Sequence, residues 1–313
     1  RSPKITEFHF LEGASFNASC IRFQDHFYIG FRISAVLRVF DLYIHLVNKE
    51  KYLPDALPQN VSKVTKSAIY TPLAFNSNTI AQFPREIPLS SAHLEAAIRL
   101  SFIALEFMLW HEITHLWDGH GPYKEMRMKQ GRPLSNVELR TLEWEADRLA
   151  ISRMMLMYRA GEHAIPLAKA LSRVLERNAD QTLFDGTIAS PRVYAKCILF
   201  TLLIFFWHFG EIVTQQYLDR RYPYHAARSF YLISELGRVL THWVYEPWKI
   251  SLDEYMNTIS SQTVQDAIKC WDEIAGNNLG TNNFASTIHR PYTLRDLKRF
   301  EVTATKIQRE IEG

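Results

Sequence analysis

The sequence predicts a mainly α-helical (α+β) protein with a small β-sheet near its N-terminus. Short segments of loosely alternating apolar residues come first, before residue 35. Helix-capping residues and long segments of helical periodicity follow from residue 90 onwards. The chain has 313 residues, 47% of them hydrophobic, which is long enough for one large domain or two modest ones with buried cores.

The N-terminal elements are predicted to be short. Thr6–Leu11 reads as a first strand, and Ser19–Gln24 with His26–Phe31 reads as a hairpin. Ser34–Asn48 carries apolar residues at helical spacing and predicts an amphipathic helix. Residues 54–91 contain five prolines and many Ser, Asn and Thr residues, so we expect a long irregular connection of the kind that covers or lines a site.

The next helix is predicted from its two ends. Ser90 and Ser91 can cap its N-terminus, and the helix would run to Asp118. Gly119 and the pair Gly121-Pro122 follow directly and are expected to end it.

The remaining helices begin at a capping signal or at an apolar periodic segment. They are predicted from Ser135 to Gly161, from Pro191 through the apolar stretch Cys197–Phe209, and over His225–Trp248, Ser251–Gly276 and Thr293–Glu312. The apolar stretch is shorter than the roughly 20 residues that a bilayer-spanning helix needs. It therefore predicts a buried core helix, with membrane association as the alternative.

The composition indicates the cellular compartment of the protein and the classes of partner that it is expected to bind. Net charge is +3, from 36 basic and 33 acidic residues that are mixed along the chain, which argues against a nucleic-acid partner. The three cysteines are widely spaced and form neither a disulfide framework nor a CxxC pair. This pattern predicts a cytoplasmic protein.

Residues 110–120 read WHEITHLWDGH. On a helix, His111 and His115 lie on one face, where both imidazoles can bind one metal ion. Glu112 is then placed to take a proton from a water activated at that ion. Unpaired His and Glu side chains would be unfavourable in this apolar helix, and coordination removes that penalty. HExxH is a short motif, so a third ligand decides the interpretation.

Three residues are candidates for the third ligand. His120 follows His115 by five residues, whereas metzincins need six, with a glycine where Asp118 stands here. Asp118 itself could approach the site if the helix continued. The third candidate is Glu143.

The stretch LEWEADRLA places Glu143, Ala146, Asp147 and Ala150 on one helix face. The two alanines let this helix pack closely against the HExxH helix, so Glu143 can complete a His-His-Glu site for Zn²⁺. Asp147 can then accept the free N–H of a ligand histidine. Glu145 points to another face and is expected to be solvated.

HEITH followed by ExxADxxA resembles the gluzincin zinc metallopeptidases, in whose compact members the second helix supplies the third ligand. FNASCIRFQDHFYIGF is similar to the edge strand that binds extended substrate in that clan. The resemblance implies a compact zinc peptidase core, which we place in residues 1–180. A helical region, residues 181–313, would pack on it, or the two would form one continuous domain.

Two further histidines are candidate catalytic residues. His120 lies just past the predicted helix end, close to Tyr123, and would face the substrate. His225 lies one turn before Arg228 and is similar to a histidine in some membrane gluzincins, although Ala226 replaces the proline found there. The alternative for each is a capping or surface histidine.

The motifs together predict a zinc-dependent endopeptidase that acts on a protein or peptide substrate. HExxHxxxGH in a chain of this length is similar to the Lit-type phage-exclusion proteases, which cleave a translation elongation factor and abort infection. ImmA-type peptidases that cleave a repressor share the core motifs and are an alternative. A protein-binding module with a structural zinc is another, although such sites usually have four protein ligands.

Overall fold

A computed structural model of the chain describes residues 5–12, 18–23, 26–47, 52, 68–70, 87–160, 191–216, 225–242, 249–275 and 292–312. It confirms a mainly helical protein with a small N-terminal sheet. The described strands are β1 (Ile5–Leu11), β2 (Ala18–Phe23), β3 (His26–Arg32), β4 (Ala68–Tyr70) and β5 (Ile87–Leu89). The described helices are α1 (Ile33–Val47), α2 (Ser91–Trp117), α3 (His120–Lys129), α4 (Asn136–Ala160), α5 (Pro191–Gln216), α6 (His225–Thr241), α7 (Leu252–Glu254), α8 (Ser261–Ala275) and α9 (Tyr292–Glu312).

The N-terminal sheet has the strand order β1-β3-β2. The predicted hairpin is confirmed, because β2 and β3 pair antiparallel from Ala18↔Phe31 to Phe23↔His26. β1 pairs with β3 in parallel, which leaves β2 at an edge of the described sheet, where it packs against α2. Part of the connection predicted to be irregular is instead paired, since β4 and β5 form a two-stranded antiparallel sheet.

α2 begins as predicted, with the Ser90 hydroxyl accepting a hydrogen bond from the backbone N–H of His93. α2 ends at Trp117, and only Asp118 and Gly119 separate it from α3, which starts at His120. Gly119 adopts a left-handed conformation (φ 71°) that turns the chain between the two helices. Gly121 and Pro122 lie in the first turn of α3, where proline is tolerated because its missing N–H would have no helical partner. The predicted end of α2 is therefore confirmed, whereas α3 was not predicted.

α4 begins at the predicted capping box. The Ser135 hydroxyl accepts from the backbone N–H of Glu138 (3.3 Å), and the Glu138 carboxylate accepts from the backbone N–H of Ser135 (2.8 Å). Arg127 of α3 donates to the same Glu138 and to Glu310 of α9. α3, α4 and α9 are therefore joined by one charged network.

α5 is a core helix, as predicted: every side chain from residue 197 to 208 is buried. Phe205 and Phe206 pack edge-on against Phe107 of α2, with ring centroids 6.3 and 5.4 Å apart. Among the described helices, none is long and apolar enough to cross a membrane. The predicted boundary near residue 180 lies outside the described residues.

α6 ends at Thr241 rather than continuing, and the single helix predicted after Ser251 is divided into α7, a π-helical segment (Tyr255–Ser260) and α8. The wider π turn accompanies a close fit between Tyr255 and α6. The Tyr255 ring lies over Gly237, and its hydroxyl donates to the carbonyl of Ile233.

We expect Gly237→Ala to lower the free energy of unfolding, measured by urea denaturation. An alanine in a helix normally stabilises by about 0.5–1 kcal/mol relative to glycine. At Gly237, however, a Cβ atom would lie 2.6 Å from a ring carbon of Tyr255, and such overpacking costs about 1–3 kcal/mol. Gly121→Ala is the matched control, because no atom lies within 4 Å of its Cβ position, and it should be neutral or stabilising. A Gly237→Ala protein as stable as wild type would contradict this packing.

Candidate metal centre

The candidate site lies where α2 crosses α4. Ala146 and Ala150 of α4 are fully buried, and side chains this small let the two helix backbones approach closely. Glu143, on the same face of α4, is thereby brought to His111 and His115 of α2. Ligand atoms of these three residues all lie within 4.8 Å of one another, and no other such group of three occurs in the described part of the chain.

The three donors face a common point. The Nε2 atoms of His111 and His115 are 3.1 Å apart. Glu143 Oε2 lies 3.3 Å from His111 Nε2, and Glu143 Oε1 lies 3.7 Å from His115 Nε2. Two imidazole nitrogens and one carboxylate form a donor set that zinc uses in catalytic sites. The residues therefore fit a zinc ion.

Asp147 lies one turn after Glu143 and orients His111 by contacting Nδ1, the ring nitrogen that does not face the other two donors. His111 Nδ1 is 2.9 Å from Asp147 Oδ1. Arg228 of α6 binds both Asp147 oxygens, each at 2.7 Å, and its guanidinium lies 4.5 Å from the centroid of the Phe206 ring. Asp147 thus links His111 of α2 to Arg228 of α6 through a buried carboxylate.

The electrostatics of the metal-free protein also favour a cation at this point. Burial lowers the pKa of His111, but hydrogen bonds with Asp147 and Glu143 outweigh it and raise the pKa to about 10. Burial raises the pKa of Glu143, but hydrogen bonds from His111 and His115 hold it well below its usual range. A proton on His111 therefore balances two carboxylates, and a bound metal ion would displace it.

Glu112 lies beside this group. Burial raises the pKa of its carboxyl, whereas the charges of His111 and His115 lower it, and the net direction is upward. The carboxylate also accepts a hydrogen bond from the backbone N–H of Cys20 in β2. A carboxyl whose pKa is raised holds a proton more readily than an exposed one, which is a useful property in a group that takes up and passes on a proton.

His120 is placed differently from the sequence expectation that it faces the substrate. It is buried, 3% exposed, and its Nδ1 lies 2.8 Å from Nδ1 of His115, on the side of that ring away from the other donors. Its Nε2 lies 3.3 Å from Glu145 Oε2. Glu145 was expected to be solvated, and this is wrong: its side chain is 13% exposed, because α3 folds back beside α4.

The other candidates lie apart from the donors. Asp118 caps α2 and pairs with Arg153 at 3.6 Å. Tyr123 is buried and hydrogen-bonded to Glu310. His225 is the first residue of α6, but its side chain lies outside what the structure describes.

Sequence reasoning missed the roles of Arg228 and Glu145. In the sequence, Arg228 was noted only because it lies one turn after His225. If Asp147 is buried, a cation is expected near it. The sequence does not say which of 36 basic residues supplies it, because Arg228 is 81 residues from Asp147 along the chain.

We expect Arg228→Met to destabilise the metal-free protein by up to about 3–5 kcal/mol in urea denaturation, since it leaves the buried Asp147 carboxylate without its strongest partner. Asp147→Asn should recover part of that loss, so the double variant should lose less than the sum of the single ones. Arg192→Met is the control: Arg192 is 58% exposed and pairs with Glu254, so at most about 1 kcal/mol is expected. Additive effects of the Arg228 and Asp147 substitutions would contradict a direct pair.

The family model Peptidase U49 matches residues 30–238 of the chain. No curated protein and no solved structure matches the chain. The matched range runs from the end of β3 into α6 and includes His111, Glu112, His115, Glu143 and Asp147. The chain therefore belongs to the Peptidase U49 family, a family of Lit-type proteases.

Proposed function

We propose that the chain is a zinc-dependent endopeptidase of the gluzincin type that hydrolyses a peptide bond in an intracellular protein. One observation carries the proposal. In a member of a peptidase family, two histidines and a glutamate converge within 4.8 Å, and a second glutamate lies beside them. Family membership supports proteolysis, and the donor set supports zinc.

His111, His115 and Glu143 would hold the metal, and Asp147 would keep His111 in its binding orientation. A zinc ion held by these residues would supply Lewis acidity for the scissile carbonyl and would lower the pKa of the attacking water. Glu112 takes the proton of that water and delivers it to the leaving amine.

β2 provides a surface for an extended substrate. It lies at the edge of the described sheet, and its Cys20 N–H reaches the Glu112 carboxylate. A peptide that adds a strand along this edge would pass the general base. This placement supports a protein or peptide substrate in extended conformation.

The same geometry favours catalysis over a structural role for zinc. Structural sites are usually closed by four protein ligands. Among the described residues, the converging group has three members, and His120 contacts the far side of His115. Burial and the Glu112 charge raise the pKa of the Cys20 thiol to about 12, which disfavours the thiolate that a zinc ligand requires.

The family also suggests the biological role. Since the chain belongs to a Lit-type family, the proposed substrate is a translation elongation factor, cleaved in the cytoplasm during phage exclusion. The ImmA-type alternative, a peptidase that cleaves a repressor, shares the two helical motifs but has no support from the family match.

Glu112→Gln should bind zinc like the wild type and lose proteolysis by several orders of magnitude, because it lacks the proton acceptor but keeps all three ligands. Glu143→Ala should lose both zinc and activity. Zinc content by atomic emission and cleavage of a protein substrate are the measurements. Glu125→Gln, an exposed glutamate on α3, is the control and should resemble the wild type.

Full activity of Glu112→Gln, or an unchanged zinc content of Glu143→Ala, would contradict the proposal. Proteomes of cells that produce wild type or Glu112→Gln would then identify the substrate. An elongation factor that is intact in both would exclude the Lit-type role, and a cleaved repressor would favour the ImmA-type one.

A further inference from the structure

The Nδ1 atoms of the two proposed metal-binding histidines contact different kinds of side chain. His111 has Asp147, a carboxylate of the kind that commonly orients a ligand histidine. His115 has another histidine: the Nδ1 atoms of His115 and His120 are 2.8 Å apart. The two rings meet edge-on, with centroids 4.9 Å apart. A hydrogen bond between two ring nitrogens requires one to donate and the other to accept.

The direction of this bond follows from the metal centre. His115 Nε2 faces His111 Nε2 and Glu143, so Nε2 is the atom that would bind zinc and must carry a lone pair. Neutral imidazole then carries its proton on Nδ1. His115 Nδ1–H therefore donates, and His120 Nδ1 accepts.

The proton of His120 then faces a carboxylate, in an electrostatic contact rather than a well-aligned hydrogen bond. With Nδ1 accepting, the His120 proton lies on Nε2, which is 3.3 Å from Glu145 Oε2. We propose that Glu145 and His120 form a relay that holds His115 in the tautomer and orientation that bind zinc. This proposal rests on the zinc site proposed above and adds two positioning residues to it.

The backbone turn at Gly119 brings the relay residue His120 to His115. Gly119 takes up a left-handed φ of 71°, which reverses the chain after α2 and returns His120 to His115 within five residues. A Cβ at Gly119 would lie 3.2 Å from Ile311 of α9, so both the conformation and the space favour glycine. His120 is 3% exposed, so water cannot easily replace it as the partner of His115.

The test compares two substitutions at one position by zinc affinity. His120→Asn keeps an acceptor, because its Oδ1 occupies about the position of Nδ1 in histidine. His120→Leu has a similar branched shape but no acceptor. We expect the zinc Kd, measured by competition with a chromophoric chelator, to rise about 10–100-fold in His120→Leu and to stay close to the wild-type value in His120→Asn.

The control separates this effect from general loss of packing. His208 is equally buried, at 3%, and its described neighbours are Arg38, His45 and Trp271 rather than the metal ligands. His208→Leu should change the melting temperature of the metal-free protein but not its zinc Kd. If His120→Leu does not fold, Glu145→Leu tests the relay from α4, with a smaller expected rise in Kd.

An unchanged zinc Kd in His120→Leu or Glu145→Leu overturns the relay, as does an equal loss in His120→Asn and His120→Leu. These results leave the metal centre standing as long as the wild type binds zinc. If the wild type and His208→Leu bind no zinc, the proposed zinc site fails, and the relay fails with it.

Discussion

The close packing of α4 on α2 is the constraint on which the site depends. It places the carboxylates of Glu143 and Asp147 beside two imidazoles in a largely buried interface. Buried charges of this kind are tolerated only when they are paired or bind a metal. The fully buried Ala146 and Ala150 make the approach possible, because larger side chains would hold the helices too far apart for Glu143 to reach Nε2 of either histidine.

From this interface, pairing extends outwards in two directions. Through Asp147 it reaches Arg228 on α6, and through His120 it reaches Glu145 on α4. In each of the two candidate ligand histidines, Nδ1 contacts a partner: Asp147 for His111 and His120 for His115. Each contact ties the site to a different part of the helical framework. Zinc binding and folding are expected to be strongly linked for this reason.

The sequence was sufficient to identify the three candidate ligands that the structure brings together, because they lie on two helices with strong local signals. His111 and His115 share one helix face by their spacing, and Glu143, Ala146 and Asp147 share another. The N-terminus of α4 followed from the capping pair Ser135 and Glu138, and the core position of α5 followed from its apolar run.

The surroundings of the ligands depend on chain reversals and long-range contacts that periodicity does not encode. Gly119 and Gly121-Pro122 were correctly expected to end α2, but no helix was predicted directly after Gly119, and His120 was assigned to the substrate side. Once α3 folds back, His120 contacts His115, and Glu145, one helix face away from Glu143, becomes its partner. Arg228 reaches Asp147 only because α6 packs on α4.

The central claim is that zinc binds two imidazoles and one carboxylate. X-ray absorption at the zinc edge of the purified protein tests it directly, since Zn–N and Zn–O distances are about 2.0–2.2 Å and Zn–S distances about 2.3 Å. The account predicts nitrogen and oxygen neighbours only, with multiple scattering from two imidazoles. A sulfur neighbour, a third imidazole or a protein without zinc would contradict it.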